Sequence, residues 1–428
     1  YLFFIFMVYS FIIKFFKGWL TMTQKLSPIS GKDRLETIDM LRGFALLGII
    51  IANINWYIYP SYLQQDPSFK NEWTSFWNEF DYATLSALNM FVVGKFVMLF
   101  SMLFGFGMAI MQERTGVKQL NFWGIYSRRL LALFIFGSIH AYFIWFGDIL
   151  TDYAILGFVL LLMHKLKPKK LLIISITLYS LLFILIAAGS LSVNSSTMMT
   201  NISEEDQKLI QSTIQVHQNG NIQQLTAANI EERIYYTMRN GLYALYSGMP
   251  LAYLFSNLPF LLMFMFGAAV AKNKWVHHFQ EHRKVFFITW LITLLTGGTL
   301  NWALPFIVEN QYAVQTIQYV SSPLITIFYA ISLLFIYHTV KGKKILQWFT
   351  FPGRMAFTNY ISQSIICTFL FGPFAFGVYG KLQLSTAIMI AIAIYAFQIF
   401  FSKWWLSKFP FGPLEYIWRT ITYWGIRR

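Results

Sequence analysis

LFIFGSIHAYFIWFGDILTDYA, residues 133–154, is apolar enough to lie in lipid yet carries His140, Asp148 and Asp152. Ionisable groups in a hydrocarbon setting are costly, so they face protein or a water-filled cavity and mark where function resides. Gly147 and Asp148 break the run near its middle, which predicts a tight hairpin of two helices rather than one long helix. The fold class follows: an all-α bundle of membrane-spanning helices with a polar interior.

Composition agrees with that reading. Of 428 residues, 57% are hydrophobic and 12% charged, about half the charged fraction of a soluble domain. The apolar residues come in blocks of about 20, the length that crosses a bilayer core of roughly 30 Å. Ten such windows stand out, near 38–58, 88–111, 129–147, 149–164, 171–192, 250–271, 285–307, 316–338, 355–377 and 385–406. The net charge of +15 is read as basic loops on the cytoplasmic side of a membrane, not as a nucleic-acid surface. Cys367 is the single cysteine, which excludes a disulfide within the chain and a cysteine-based metal site. No metal site and no resident cofactor are expected.

The basic residues test the ten windows independently. With the segment before the first window inside and the sides alternating, 25 of the 33 Lys and Arg fall on inner segments and five on outer ones. That asymmetry predicts ten spans with both termini cytoplasmic, in a bacterial cytoplasmic membrane. It puts the Gly147–Asp148 hairpin on the outer side. Residues 1–21, with an apolar run to Ile13 and then Lys14 and Lys17, read as an upstream extension, with an additional membrane helix as the alternative. Residues 22–410 form the bundle, interrupted by an external loop at 193–249. That loop is polar and helix-favouring, and the Asn219-Gly220 turn signal divides it into two short amphipathic helices. Residues 411–428 form a basic, aromatic cytoplasmic segment.

Two stripes run through the windows. Arg42 and Asn53 are eleven residues apart in the first, and Arg129 and His140 eleven apart in the third. Eleven steps at 3.6 per turn return to nearly the same helix face, roughly 16 Å further along. Each stripe thus links an arginine at the inner end to a polar group in the outer half, and Asp148 follows just past the bend at Gly147. Asp39 and Arg42 are three apart, a pairing distance on one face. In the second window Gly94, Ser101 and Gly105 make a small-residue packing face, and Lys95 is expected to snorkel toward the outer surface. The ninth window carries Arg354 at its start, then Thr358, Asn359, Ser362 and Gln363 on one side, a pattern read as a cavity wall.

The segments RLETIDMLRGFALLGIIIANI, LFSMLFGFG, RRLLALFIFGSIHAYFIWFGDILTDYAILG, PGRMAFTNYISQS and FGPLEYIWRTITYW occur in that order across residues 34–424. Together they resemble the YeiB-like family of bacterial membrane proteins, the domain of unknown function 418. The resemblance implies a cytoplasmic-membrane protein of about ten helices. The D-x-x-R-G opening at Asp39, Arg42 and Gly43 is also similar, more distantly, to integral-membrane acyltransferases, including the heparan-α-glucosaminide N-acetyltransferase relatives. Those enzymes take acyl groups from acyl-CoA at the cytoplasmic face and deliver them to a sugar or lipid. One branch has histidine eleven after the arginine, where this chain has Asn53; the other has asparagine there with a histidine soon after, whereas residues 54–139 contain none.

The likeness assigns roles as expectations. Acyl transfer to a hydroxyl needs a base of near-neutral pKa, and His140, oriented by Asp148, is the expected substitute. Arg42, Arg129 and Arg354 hold the phosphates of an acyl-CoA donor, since arginine makes bidentate phosphate contacts. Asn53, Asn359 or Gln363 donates to the developing oxyanion. The acceptor is an envelope sugar or lipid, and the bilayer is the one other partner implied. The rival reading is a transporter for a small polar or anionic solute, whose pathway the same stripes line.

Overall fold

The computed structural model describes residues 35–60, 74–192, 204–239, 253 and 257–424. The expected N-terminal extension at 1–21, both ends of the 193–249 loop and residues 425–428 lie outside them. The described residues are helical and contain no strand.

The chain runs α1 (Glu36–Ile58), α2 (Glu79–Phe91), α3 (Lys95–Val117), α4 (Phe122–Phe143), α5 (Leu150–Leu162) and α6 (Pro168–Ser192). It continues with α7 (Glu204–Asn219), α8 (Ile222–Arg239), α9 (Leu258–Lys272), α10 (Arg283–Gly298), α11 (Gln311–Val320) and α12 (Ser322–Tyr337). The last five are α13 (Val340–Leu346), α14 (Thr350–Arg354), α15 (Ala356–Phe371), α16 (Leu384–Lys408) and α17 (Pro413–Thr422). Among the described residues each apolar window overlaps a helix, with α2–α3 and α11–α12 broken within theirs and residues 250–252 and 254–256 of the sixth window outside the described residues.

Among the described residues five helices are long and apolar enough to cross a membrane, and six if the bent pair α11–α12 counts as one. Their burial separates them into two kinds. α1 is mostly buried, with Met40, Ala45, Leu46 and Ile54 fully enclosed, and it is packed by α3, α14, α15 and α16. α6, α10 and α16 turn long apolar faces outward: Ile173, Ile176 and Ile184, then Phe287, Ile288 and Leu295, then Met389, Ile392 and Phe400. Water would penalise such faces by about 1.5–3 kcal/mol per large side chain left uncovered, and lipid removes that cost.

Local chemistry sets the element ends. Asn78 and Asp81 form a reciprocal capping box at α2, with the Asp81 amide donating to Asn78 Oδ1 (3.0 Å) and the Asn78 amide to Asp81 Oδ2 (3.1 Å). Asn221 and Gln224 do the same at α8 (both 2.9 Å), so the Asn219-Gly220 turn divides α7 from α8 as its composition predicts. α8 then lies over the α4–α5 hairpin. Asn229 Nδ2 donates to the carbonyls of Ala141 (3.0 Å) and Tyr142 (2.8 Å), and Arg233 Nη1 to those of Phe146 (2.9 Å) and Asp148 (3.1 Å). These are carbonyls that the end of α4 and the turn cannot satisfy within the helix.

Lys95 corrects one expectation. It is 1% exposed, and its ammonium turns inward to the Asn89 carbonyl at 2.6 Å instead of snorkelling. The cause is the break between α2 and α3, where Gly94 sits at φ +81° and frees nearby carbonyls to accept. Gly105, by contrast, packs as expected, directly against the backbone of Phe264 on α9.

Candidate functional site

The site begins where α1 crosses α14. A Cβ at Gly353 would lie 1.8 Å from the Asp39 carbonyl oxygen, and one at Gly43 the same distance from that of Phe349. Only glycine permits this contact of backbone on backbone, and it brings Asp39, Arg42 and Arg354 to one place. Arg42 Nη1 donates to Asp39 Oδ1 at 3.3 Å, so the predicted pairing of positions three apart is made.

The C-terminal α17 closes the same end. Its Trp418 indole donates to the Arg129 carbonyl (2.8 Å), and the Arg129 guanidinium lies 3.5 Å over the Trp418 ring. Arg128 Nη1 donates to the Trp424 carbonyl. Glu415 accepts from the Phe357 amide (2.7 Å), the Thr358 amide (2.9 Å) and the Thr358 hydroxyl (2.6 Å). This carboxylate therefore caps α15 from outside, where orphan donors and the helix dipole favour negative charge. Burial pushes the Glu415 carboxyl above its ordinary range, against the pull of those hydrogen bonds.

Between α1, α3, α4, α5, α15 and α17 lies a cavity of about 790 Å³, within the usual range for small-molecule sites. Arg42, Arg114, Arg129, Arg354 and Arg419 line one end, each from a different helix. Phe100, Phe104 and Tyr360 form an aromatic middle, and the Trp145–Leu150 turn with Asn53, Trp56, Asp152 and Asn257 forms the far end. The Arg129 guanidinium is close enough to those of Arg42 and Arg419 to be repelled by them. Among the described residues it has no carboxylate partner.

Five predicted residues thus line one cavity: Arg42, Asn53, Arg129, Asp148 and Arg354. The Asn53 amide makes no hydrogen bond with any described residue, so its donors are available to a ligand. Three predicted residues stand elsewhere. Asn359 Nδ2 donates to Ser402 Oγ (3.0 Å) and Gln363 Nε2 to Gln398 Oε1 (2.9 Å). The Gln398 amide in turn donates to the Asn359 carbonyl and to Ser362 Oγ. The polar run in the ninth window is therefore a buried ladder joining α15 to α16, not a cavity wall; a partner-rich stripe and a ligand-facing stripe look alike in sequence.

His140 is the third correction. It is 1% exposed and is not among the residues lining the cavity. Gly137, one turn earlier, lets α5 pack directly onto that face of α4: a Cβ there would be 2.6 Å from the Thr151 amide. The hairpin therefore covers the imidazole. Its Nδ1 meets Asp148 Oδ1 at 2.8 Å, its ring packs against Tyr360 and Trp145, and Nε2 is buried with no partner. Since a carboxylate oxygen only accepts, the imidazole donates to Asp148 from Nδ1. The predicted bond between His140 and Asp148 exists, but it braces the cavity wall from behind.

Arg114, Arg419 and Trp418 were not singled out from the sequence. Both arginines contribute to the inner-side charge tally, and nothing there distinguishes a topological charge from a ligand-binding one.

Comparison with known proteins places this geometry in a family. Residues 270–425 match the model described as "Protein of unknown function (DUF418)". The chain is 37% identical over 398 residues to "Uncharacterized protein YxaH" of Bacillus subtilis (strain 168), covering 93% of this chain and 96% of the relative. The chain belongs to the DUF418 family. It is also 26% identical over 400 residues to "Uncharacterized protein YeiB" of Escherichia coli (strain K12), covering 91% of this chain and 96% of that one. The similarity to YxaH and YeiB extends over most of the chain, well beyond the C-terminal part that the family model matches. No solved structure gives a significant match.

Proposed function

We propose that this DUF418 protein spans the bacterial cytoplasmic membrane ten times with both termini inside, and that it moves an acyl group from cytoplasmic acyl-CoA to an envelope sugar or lipid. The observation that carries the reading is the convergence of five arginines from five helices on one end of one cavity. Like charges held together are unfavourable unless an anion joins them, and guanidinium is the group best matched to phosphate. Among the described lining residues at that end, Asp39 pairs with Arg42 and Glu415 caps the start of α15, and Arg129 has no carboxylate partner. The charge asymmetry along the chain assigns the arginine end to the cytoplasm, where a CoA donor is found.

The rest of the cavity suits the rest of such a donor. Aromatic side chains in the middle line the path of the pantetheine arm that joins the phosphates to the thioester. Asn53, with its amide uncommitted, is positioned on the wall to donate to the oxyanion that forms when a thioester carbonyl is attacked. Acetyl-CoA and desulfo-CoA binding to the purified full-length protein, followed by transfer of labelled acetyl to the lipid and sugar fraction of membrane vesicles, tests the reading. Binding without transfer removes the enzyme, and no binding removes the CoA site.

One observation favours transport as a second reading. α11 and α12 are bent by 46° at Ser321, and the α2–α3 break at Gly94 packs against Ser322. Broken helices meeting at a cavity are common in transporters. Uptake of small organic anions into proteoliposomes, with no need for CoA, is the result that would favour it.

A further inference from the structure

The α4–α5 hairpin brings two carboxylates to the far end of the cavity, and they are not equivalent. Asp148 is fully committed. Its Oδ1 is bonded to His140, and its Oδ2 accepts from the Thr151 amide (2.9 Å) and hydroxyl (2.8 Å). Asp152, four residues on in the first turn of α5, uses one oxygen: Oδ1 accepts from the Tyr253 hydroxyl at 2.9 Å. Its other oxygen has no hydrogen-bond partner among the described residues, although the Arg233 guanidinium is close enough to attract the carboxylate, while the residue is 8% exposed and lines the cavity. An ionised carboxylate has about four acceptor sites, and burying one with half of them unused is costly. Such a group in an apolar bundle is retained for what it binds.

We propose that Asp152 takes the proton of the acceptor's hydroxyl, so that the hairpin end of the cavity is the acceptor subsite. This assignment rests on the acyl-transfer reading above and replaces His140, which lies behind the wall, as the base. The acceptor's O–H oxygen attacks the thioester carbonyl and a C–O bond forms. The hydroxyl proton passes to the free oxygen of Asp152, and the carbonyl oxygen takes its charge toward Asn53. The C–S bond then breaks, the sulfur leaves as thiolate, and the proton held by Asp152 returns to it, giving free CoA thiol and the ester.

The polarity of the cavity also selects the acceptor. Arginines line the donor end, whereas at the acceptor end Asp148 and Asp152 stand with Arg233 as counter-charge, so that end suits an uncharged, hydroxyl-bearing sugar or glycolipid. Tyr253 is the positioning residue: by holding Oδ1 it turns the second oxygen toward the cavity.

The test uses full-length protein in nanodiscs, acetyl-CoA as donor, and octyl glucoside or water as hydroxyl acceptor. Thiol release and acetylated octyl glucoside are followed, with desulfo-CoA affinity measured in parallel. Asp152→Asn is expected to bind desulfo-CoA within about twofold of wild type and to transfer at least about 100-fold more slowly, the scale of a lost general base. Tyr253→Phe is expected to lower kcat about tenfold and leave KM for acetyl-CoA unchanged, and it keeps the test open if Asp152→Asn does not fold. Transfer by Asp152→Asn within about threefold of wild type, with binding intact, overturns the assignment and leaves the donor site standing. Wild type that binds desulfo-CoA but transfers to neither acceptor overturns the acceptor subsite. Absence of desulfo-CoA binding in wild type removes the acyl-CoA reading and this assignment with it.

Discussion

Arg129→Gln discriminates most sharply between the proposed donor site and a merely basic helix end. The Arg129 guanidinium lies over the Trp418 ring at 3.5 Å, so its planar face is used and its N–H edge is left for a ligand. Among the described residues no carboxylate neutralises its charge. A charge-assisted hydrogen bond to phosphate is worth about 1.5–3 kcal/mol, so its removal weakens desulfo-CoA binding by about 10- to 150-fold. Arg42 already bonds Asp39 at 3.3 Å. Its charge is partly neutralised, and Arg42→Gln is expected to lose less, about 2- to 10-fold. Lost stacking on Trp418 costs about 0.5–1 kcal/mol of stability, too little to unfold the bundle. Isothermal titration with desulfo-CoA at two ionic strengths measures both variants. Wild-type affinity should fall with salt, and Arg129→Gln should show a shallower dependence. Equal losses for the two arginines, or an Arg129→Gln loss under about twofold, would refute the reasoning.

Gly137→Val should destabilise the protein by about 1–3 kcal/mol through overpacking, because the new side chain meets the Thr151 amide; thermal unfolding in detergent reads this, and an unchanged Tm contradicts the hairpin packing. Arg233→Gln leaves the Phe146 and Asp148 carbonyls without their donor, at a cost of about 1–3 kcal/mol, and hydrogen exchange should rise across residues 141–150. Lys95→Met removes a buried ammonium whose single described bond is to a carbonyl, so Tm should hold or rise; a large fall would show that the charge has a partner or a function. Glu415→Ala uncaps α15 at a cost of about 0.5–2 kcal/mol, and α17 should become accessible to protease.

How much of this was legible in the sequence differs by residue. Arg42 and Asn53 line the same cavity because both side chains lie on one uninterrupted helix, and α1 keeps a single face on the cavity throughout. The Arg129–His140 stripe followed the same arithmetic and failed at its outer end. Periodicity gives the angle of a side chain about its own axis, but not what packs against that angle. Here Gly137 admits α5, which covers the imidazole. Asn359 and Gln363 failed for a related reason: their partners Ser402 and Gln398 stand 43 and 35 residues away on α16.

The sequence alone determined the helical, membrane-sized elements, the hairpin at Gly147, the division of the polar loop at Asn219-Gly220 and the concentration of arginines toward one side. These are consequences of local hydrophobicity, turn chemistry and charge, which act over a few residues or one helix. Only the tertiary structure decided which polar groups share a cavity. It gathered Arg114 and Arg419 with the predicted arginines, withdrew His140 behind the wall, and left Asp152 with an oxygen to spare. Those outcomes depend on backbone-to-backbone contacts between distant helices, and no local pattern encodes which helices will meet.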